Sequence, residues 1–431
     1  MKKRIVIVGA GLAGLSAAWH LQKRGLECLV FEKETEVGGL CRSKKVGDFT
    51  FDYDGHLLHF KHRYVFDFVQ GLLGNNLVKH ERSAWIFSHG RYTRYPFQAN
   101  LYGLPPRILK ECLSGFIRAQ TRSRVQSDTD FLGWIVRVFG KGIARHFMIP
   151  YNTKFWTVEP KALTCEWLEG IVPVPSRSQI MEGAVEESCE QLGYNAHFWY
   201  PRKGGIRQLP AALARQVKNI RTGCSVSEID IFKKEVVTSS GQREKFDHLV
   251  STFPLPEMAL KVRGLPAKVR AAFGQLKWNS VFNLNLGTDG RDSQRRHWVY
   301  FPQKSMSFFR VGFSHNFSSD AVPAGGRSLY AEVAYAPSKP IHRQTTIGRI
   351  IRDLRKAGIL SGRDRICARD INDIKYGYPI YDRNYKSARE KVVKYLTDRS
   401  VTPCGRYGAW KYMSMEDAIL DGRRVAEVLA R

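Results

Sequence analysis

Three glycines, Gly9, Gly11 and Gly14, follow the apolar run Ile5 to Val8 and open a helical stretch that ends near Gly25. Strand, glycine turn and helix in that order make a dinucleotide-binding unit. The first glycine allows the tight turn, the second lets a pyrophosphate approach the backbone, and the third permits close helix packing. Glu32 ends the next apolar run, Cys28 to Glu32, where a carboxylate can accept ribose hydroxyls. A second phosphate-facing turn follows at Gly38 and Gly39, with Arg42 and Ser43 behind it. Far along the chain, Arg310 stands beside Phe308 and Phe309 in an otherwise apolar strand, and a guanidinium in such a place needs an anionic partner.

The elements that must carry these residues can be read from periodicity. The first forty residues predict one βαβ unit. Between Asp128 and Cys165, apolar residues recur at helical spacing (Phe131, Trp134, Ile135, Val138, Phe139), which predicts a helical insert. Between Trp278 and Ala336, short alternating segments with glycine, asparagine and proline turns predict an antiparallel sheet. The segment Ser414 to Arg431 predicts a final helix, with Ser414 and Asp417 as a capping box. The 431 residues carry 68 Lys+Arg against 40 Asp+Glu, a net charge of +28, which favours phosphorylated ligands or an anionic membrane surface. The bases are spread along the whole chain without a nucleic-acid module, so nucleic-acid binding is not expected. The cysteines are scattered without metal-ligand or CxxC spacing, which speaks against a metal site and fits a cytoplasmic protein. Glycines interrupt the early apolar stretch, so it reads as a nucleotide-binding turn rather than a leader, and no transmembrane segment is expected.

The stretch EKETEVGGLCRS resembles the second glycine motif of FAD proteins in the superfamily of amine oxidases and UDP-galactopyranose mutases. Several segments extend the resemblance to eukaryotic-type UDP-galactopyranose mutases over nearly all of the chain. They are FDYDGHLLHF, RYPFQAN, GWIVRVFGKGIARHFMIPYNTKFWTV, YNAHFWYP, VYFPQKSMSFFR, YGYP and GRYGAWKY. The implied fold is α/β, a Rossmann-like FAD-binding domain with a helical insert and a second antiparallel sheet. Its expected boundaries are 1–82, 200–265 and 365–431 for the FAD domain, 101–199 for the helical substrate domain, and 83–100 with 266–364 for the sheet.

The resemblance implies non-covalent FAD, with Arg406 near its pyrophosphate and Tyr412, Ser414 and Met415 closing over it. The N-terminus of the last helix would then turn its dipole toward the flavin. His56 matches a histidine close to the flavin. Tyr95, Phe97 and Gln98 match residues that hold uracil, and Asn152, Trp156 and Asn195 match the nucleotide and sugar pocket. Tyr300, Arg310, Tyr378 and Tyr412 match the diphosphate set. In that family N5 of reduced FAD acts as nucleophile on the anomeric carbon of a UDP-sugar, exchanging pyranose and furanose rings, and NADPH supplies the electrons. Arg82 matches an arginine that meets NADPH. The rival reading is an FAD-dependent oxidase or desaturase of the amine oxidase type.

Two positions depart from the family pattern: Ile171 stands where a second diphosphate arginine is expected, and Glu416 replaces an asparagine. The glutamate would bring negative charge toward the phosphates unless the helix turns it away. Either Arg94, Arg177 or Arg202 compensates, or the substrate differs from UDP-galactopyranose in its sugar or its phosphate, a different sugar on a UDP carrier being favoured.

Overall fold

In the computed structural model, which describes every residue except 1–2, 122–129, 169, 188–195 and 291–293, the run Ile5–Val8 is buried throughout and has a parallel neighbour on each side. A strand covered on both faces is continuously apolar rather than alternating. The parallel sheet runs in the order Val401–Pro403, His248–Ser251, Ile5–Val8, Cys28–Phe31, Ile220–Arg221. Helix Leu12–Gln22 starts directly after the glycine turn, and the last helix, Met415–Leu429, lies against it. Gly422 makes that approach possible, because a Cβ there would sit 2.5 Å from the Ala13 carbonyl oxygen. The expected capping box forms: Ser414 Oγ accepts from the Asp417 amide, and the Asp417 carboxylate accepts from the Ser414 amide.

The second sheet has the order Ile366–Pro379, Trp278–Asp289, Gly326–Tyr335, Arg310–Gly312, Trp298–Tyr300, Ala84–Ser88, Arg91–Arg94. Its neighbours are antiparallel except Trp298–Tyr300, which runs parallel to Ala84–Ser88. The sequence reading assigns 365–431 to the FAD domain, but Ile366–Pro379 pairs along Trp278–Asp289 in this second sheet. Its mixture of exposed and buried positions suits an edge strand with one wet face, unlike the fully apolar strands of the parallel sheet.

Helices Pro106–Gln120, Phe131–Ile143, Ile149–Trp156 and Arg177–Val185 build the insert. Asp130 caps the second of them by accepting from the Gly133 amide at 2.9 Å. Residues 128–129 of the expected helical stretch lie outside the described residues. Near its end, Gly140 adopts φ 75°, and its missing Cβ lets the two longest helices of the insert touch: a methyl there would lie 2.1 Å from the Gly115 carbonyl oxygen. Among the described residues no helix is long and apolar enough to cross a membrane.

Candidate active site

A cavity of about 700 Å³ runs from the glycine turns of the parallel sheet to one face of the antiparallel sheet and the insert helix Ile149–Trp156. Its two ends are built differently.

Backbone dominates the first end. A Cβ on Gly9 would meet Thr252 Oγ1 at 2.0 Å, and one on Gly14 would meet the Gly9 carbonyl oxygen at 2.0 Å. Gly11 is the opposite case: its Cβ would meet nothing nearer than Gly39 Cα at 3.9 Å, so it faces open cavity. Gly38 bridges to Gly11 and donates its amide to the Ala10 carbonyl at 2.8 Å, bringing the two turns together. Glu32 is buried and oriented, with Oε2 accepting from the Ala10 amide at 2.7 Å and Oε1 from the Glu34 amide at 2.9 Å. Each oxygen keeps a lone pair for a further donor. The Arg42 guanidinium lies 4.5 Å over the Tyr53 ring and 3.4 Å from Glu34, while its Nε is buried without a partner.

Side chains from separate elements make the other end. Arg406 is packed between Tyr378 and Tyr412, with its guanidinium 4.6 and 5.2 Å from their ring centres, and the two rings stack at 5.7 Å. It donates to the carbonyls of Met413 and Gly377, and its Nε is buried and unpaired. Burial opposes its charge, but the phenols of Tyr407, Tyr378 and Tyr412 raise its pKa above the ordinary value. Burial pushes the phenols of Tyr95, Tyr300 and Tyr378 up, so each keeps its proton and stays a donor near neutral pH. His56 donates Nδ1–H to the Asp54 carbonyl at 3.0 Å, leaving Nε2 as the acceptor nitrogen. Gln98 donates to the Pro173 carbonyl at 2.7 Å, and its Oε1 is buried and unpaired. Trp156 lines the cavity with a buried, unpaired Nε1, and Asn152 lines it while donating to the Met148 carbonyl at 2.8 Å. Buried polar atoms without partners are rare, and among the described residues six of them (Arg42 Nε, Arg406 Nε, Gln98 Oε1 and the indole Nε1 of Trp156, Trp167 and Trp298) belong to residues that line this cavity.

Most of the expected residues therefore meet here, Tyr300, Arg310, Ser414 and Met415 among them. Five expectations need correction. The Phe97 ring is 0% exposed and stacks on Phe147 at 4.9 Å, away from the cavity wall, because its short 3-10 turn points it into the insert's core. Arg310 has its anionic partner inside the protein, since Glu332 takes both Nε and Nη2. Glu416 does not face the site; its carboxylate accepts the amides of Lys61 and His62. None of Arg94, Arg177 and Arg202 lines the cavity, whereas Ile171 does; Arg94 is engaged with Glu187 instead. Arg82 is buried with its guanidinium 5.0 Å over the Tyr95 ring, behind the cavity wall rather than on it. Asn195 lies outside the described residues.

Sequence reasoning missed Tyr151 and Phe155, which share a helix with Asn152 and Trp156 and line the cavity. Their i, i+4 spacing was a readable signal. It also missed His59, whose Nδ1 donates to the His197 carbonyl at 3.1 Å and whose pKa burial pushes down to about 4.

The family model described as flavin containing amine oxidoreductase matches residues 12–430. A crystal structure of reduced UDP-galactopyranose mutase superposes with TM-score 0.94 at 29% identity, over 99% of this chain and 95% of that one. A putative protoporphyrinogen oxidase from Exiguobacterium sp. 255-15 shares the fold, with TM-score 0.78 at 16% identity over 100% of this chain and 99% of that one. Among curated proteins, an L-amino-acid oxidase of Crotalus adamanteus is 27% identical over 231 residues, 50% of this chain and 42% of its own length. One of Sistrurus catenatus edwardsii is 38% identical over 231 residues, with the same shares. The chain thus spans less than half the length of these curated relatives.

Proposed function

The chain belongs to the flavin-containing amine oxidoreductase family, and on that premise we propose that it is a sugar-nucleotide mutase, interconverting the pyranose and furanose forms of a UDP-linked sugar. The observation that carries the reading is the substrate end of the cavity. There Arg310 stands among the phenols of Tyr300, Tyr378 and Tyr412, a larger set of donors than a single carboxylate or an amine needs and one that suits the several oxygens of a diphosphate. The mutase structure, similar over nearly the whole chain, supports it.

The first end of the cavity fits FAD. Gly11 presents bare backbone where a pyrophosphate needs close approach, Glu32 is held ready for ribose hydroxyls, and Arg42 and Arg406 each carry a buried unpaired Nε. Met413, Ser414 and Met415, at the start of the last helix, would border the ring system. When bound and reduced, FAD supplies a nucleophilic nitrogen to the anomeric carbon.

The residues then do the rest. Tyr95 offers an aromatic face and Gln98 Oε1 an acceptor to the imide edge of uracil. Arg310 and the protonated phenols take up the charge that grows on the departing diphosphate. His56, fixed by the Asp54 carbonyl, places Nε2 to hold a proton near the reacting carbon. Trp156, Phe155 and Ile171 exclude water from the sugar. With Ile171 in place of a base, the sugar or its hold differs from that of galactopyranose. NADPH is the proposed reductant.

A specific observation favours a second reading: the curated relatives over half of the chain are L-amino-acid oxidases. Binding separates the two. The mutase reading expects the reduced holoenzyme to prefer UDP clearly over GDP and dTDP and to make no hydrogen peroxide with L-amino acids. Equal or weaker UDP binding, together with amino-acid-dependent peroxide, would establish the oxidase.

A further inference from the structure

Arg310, Glu332 and Asn283 sit side by side on three neighbouring strands, because the register pairs Arg310 with Glu332 and Glu332 with Asn283. Paired positions send their side chains to the same face. Arg310 gives Nε and Nη2 to the two oxygens of Glu332, which is 0% exposed. Glu332 also faces Asp54, carboxyl against carboxyl, since Asn283, its register partner, holds Asp54 Oδ1. Asp54 is itself anchored, with Oδ1 accepting from the Gly55 amide at 2.8 Å and Asn283 Nδ2 at 3.0 Å. Its own carbonyl holds His56, two residues on. A hydrogen bond between two carboxyls requires a proton on one of them. With that proton, the two acids and Arg310 sum to zero charge; without it they sum to minus one, beside the wall that must receive an anion.

We propose that Asp54 and Glu332 share one proton and act as a positioning pair for Arg310, holding its guanidinium by one edge so that Nη1 is left for the incoming diphosphate. Only the identity of that anion rests on the mutase reading. Burial pushes the Glu332 carboxyl well up; Arg310 opposes this and Asp54 adds to it. Burial would raise Asp54 as well, but its contact with Glu332 and the charge of Arg310 hold it below the usual carboxylate value. The other titratable groups facing the pair are the phenols of Tyr330, Tyr378, Tyr151 and Tyr407, all raised by burial and neutral near pH 7. The pair is therefore where a proton changes the charge behind Arg310, and His56 is the group it steadies on the other side.

The test uses the FAD-loaded full chain, with UDP as the probe. In the free holoenzyme, the infrared difference between wild type and Asp54→Asn, or Glu332→Gln, should contain the carbonyl stretch of a protonated buried carboxyl. UDP affinity should fall about tenfold in Asp54→Ala, which strips Glu332 of its partner. It should recover to within about threefold of wild type in Asp54→Asn, whose amide donates to Glu332 while its oxygen keeps Gly55 and Asn283. If Asp54→Ala does not fold, Glu332→Gln serves in its place: its amide keeps one acceptor for Arg310 where the carboxyl had two, so UDP affinity should again fall about tenfold, and wild-type affinity there would overturn the proposal. Absence of the infrared band, wild-type affinity in Asp54→Ala, or UDP binding tightened about tenfold in Asp54→Asn would overturn the proposal, the last by revealing two ionised carboxylates. If the band is present and wild type binds no UDP, the mutase reading fails and the pair stands.

Discussion

The two ends of the cavity are different kinds of site. The cofactor end is made of backbone held by glycines, and Glu32 is fixed by two main-chain amides, one 2 residues on and one 22 residues back in the glycine turn. The substrate end is made of side chains from the insert helix, the antiparallel sheet and the chain's last segment, which meet only when the whole molecule has folded. A backbone site fails when a side chain is added. A side-chain site fails when a donor is removed or its partner is left alone.

The largest effect should come from adding bulk to the cofactor end. Gly11→Val has room for its Cβ but places a side chain where pyrophosphate must lie, so the protein should fold and purify without flavin. Gly14→Ala, with a Cβ 2.0 Å from the Gly9 carbonyl oxygen, should instead lose the fold. Visible absorbance and thermal melting together separate the two outcomes, and a Gly11→Val protein with stoichiometric flavin would break the contrast.

Phe97 sharpens the boundary of the substrate end. Because its ring is core, Phe97→Ala should cost about 3–5 kcal/mol of stability. Melting should show this, while the folded fraction binds UDP as wild type does. Loss of UDP affinity without loss of stability would return the ring to the site.

A donor change comes next in size. Arg310→Lys cannot keep two bonds to Glu332 and still reach a phosphate, so UDP affinity should weaken by about 1.5–3 kcal/mol, roughly ten- to a hundredfold, with flavin content unchanged. Titration calorimetry reads this directly.

The smallest effect belongs to Glu416. Glu416→Gln keeps one acceptor for the Lys61 and His62 amides, so stability should fall by about 1 kcal/mol and UDP affinity should stay constant. Tighter UDP binding in that variant would mean that the carboxylate acts on the phosphates after all.

The same contrast explains what could be read from the amino-acid sequence. Gly9, Gly11, Gly14 and Glu32 were legible because the chemistry of that end is local: the residues that make the turn also make the site. The capping box at Ser414 and Asp417 was legible for the same reason. The substrate end was reached through resemblance, which named Tyr378, Arg310 and Gln98 but could not say where each side chain points. Phe97 follows Tyr95 closely and yet turns inward, Glu416 starts a helix whose geometry hands its carboxylate to a neighbouring loop, and Arg310 finds an acid twenty-two positions away through sheet register. The strand Ile366–Pro379 was misassigned for a related reason: pairing partners are long-range facts that no local pattern carries.

Ring isomerisation tests the central claim most directly. The holoenzyme, reduced anaerobically, is incubated with a panel of UDP-linked pyranoses and the products are separated by ring form. The account predicts conversion of at least one of them to its furanose with reduced flavin, none with oxidised flavin, and loss of conversion in Arg310→Lys. Absence of any isomer from the whole panel, with flavin bound and reduced, would contradict it.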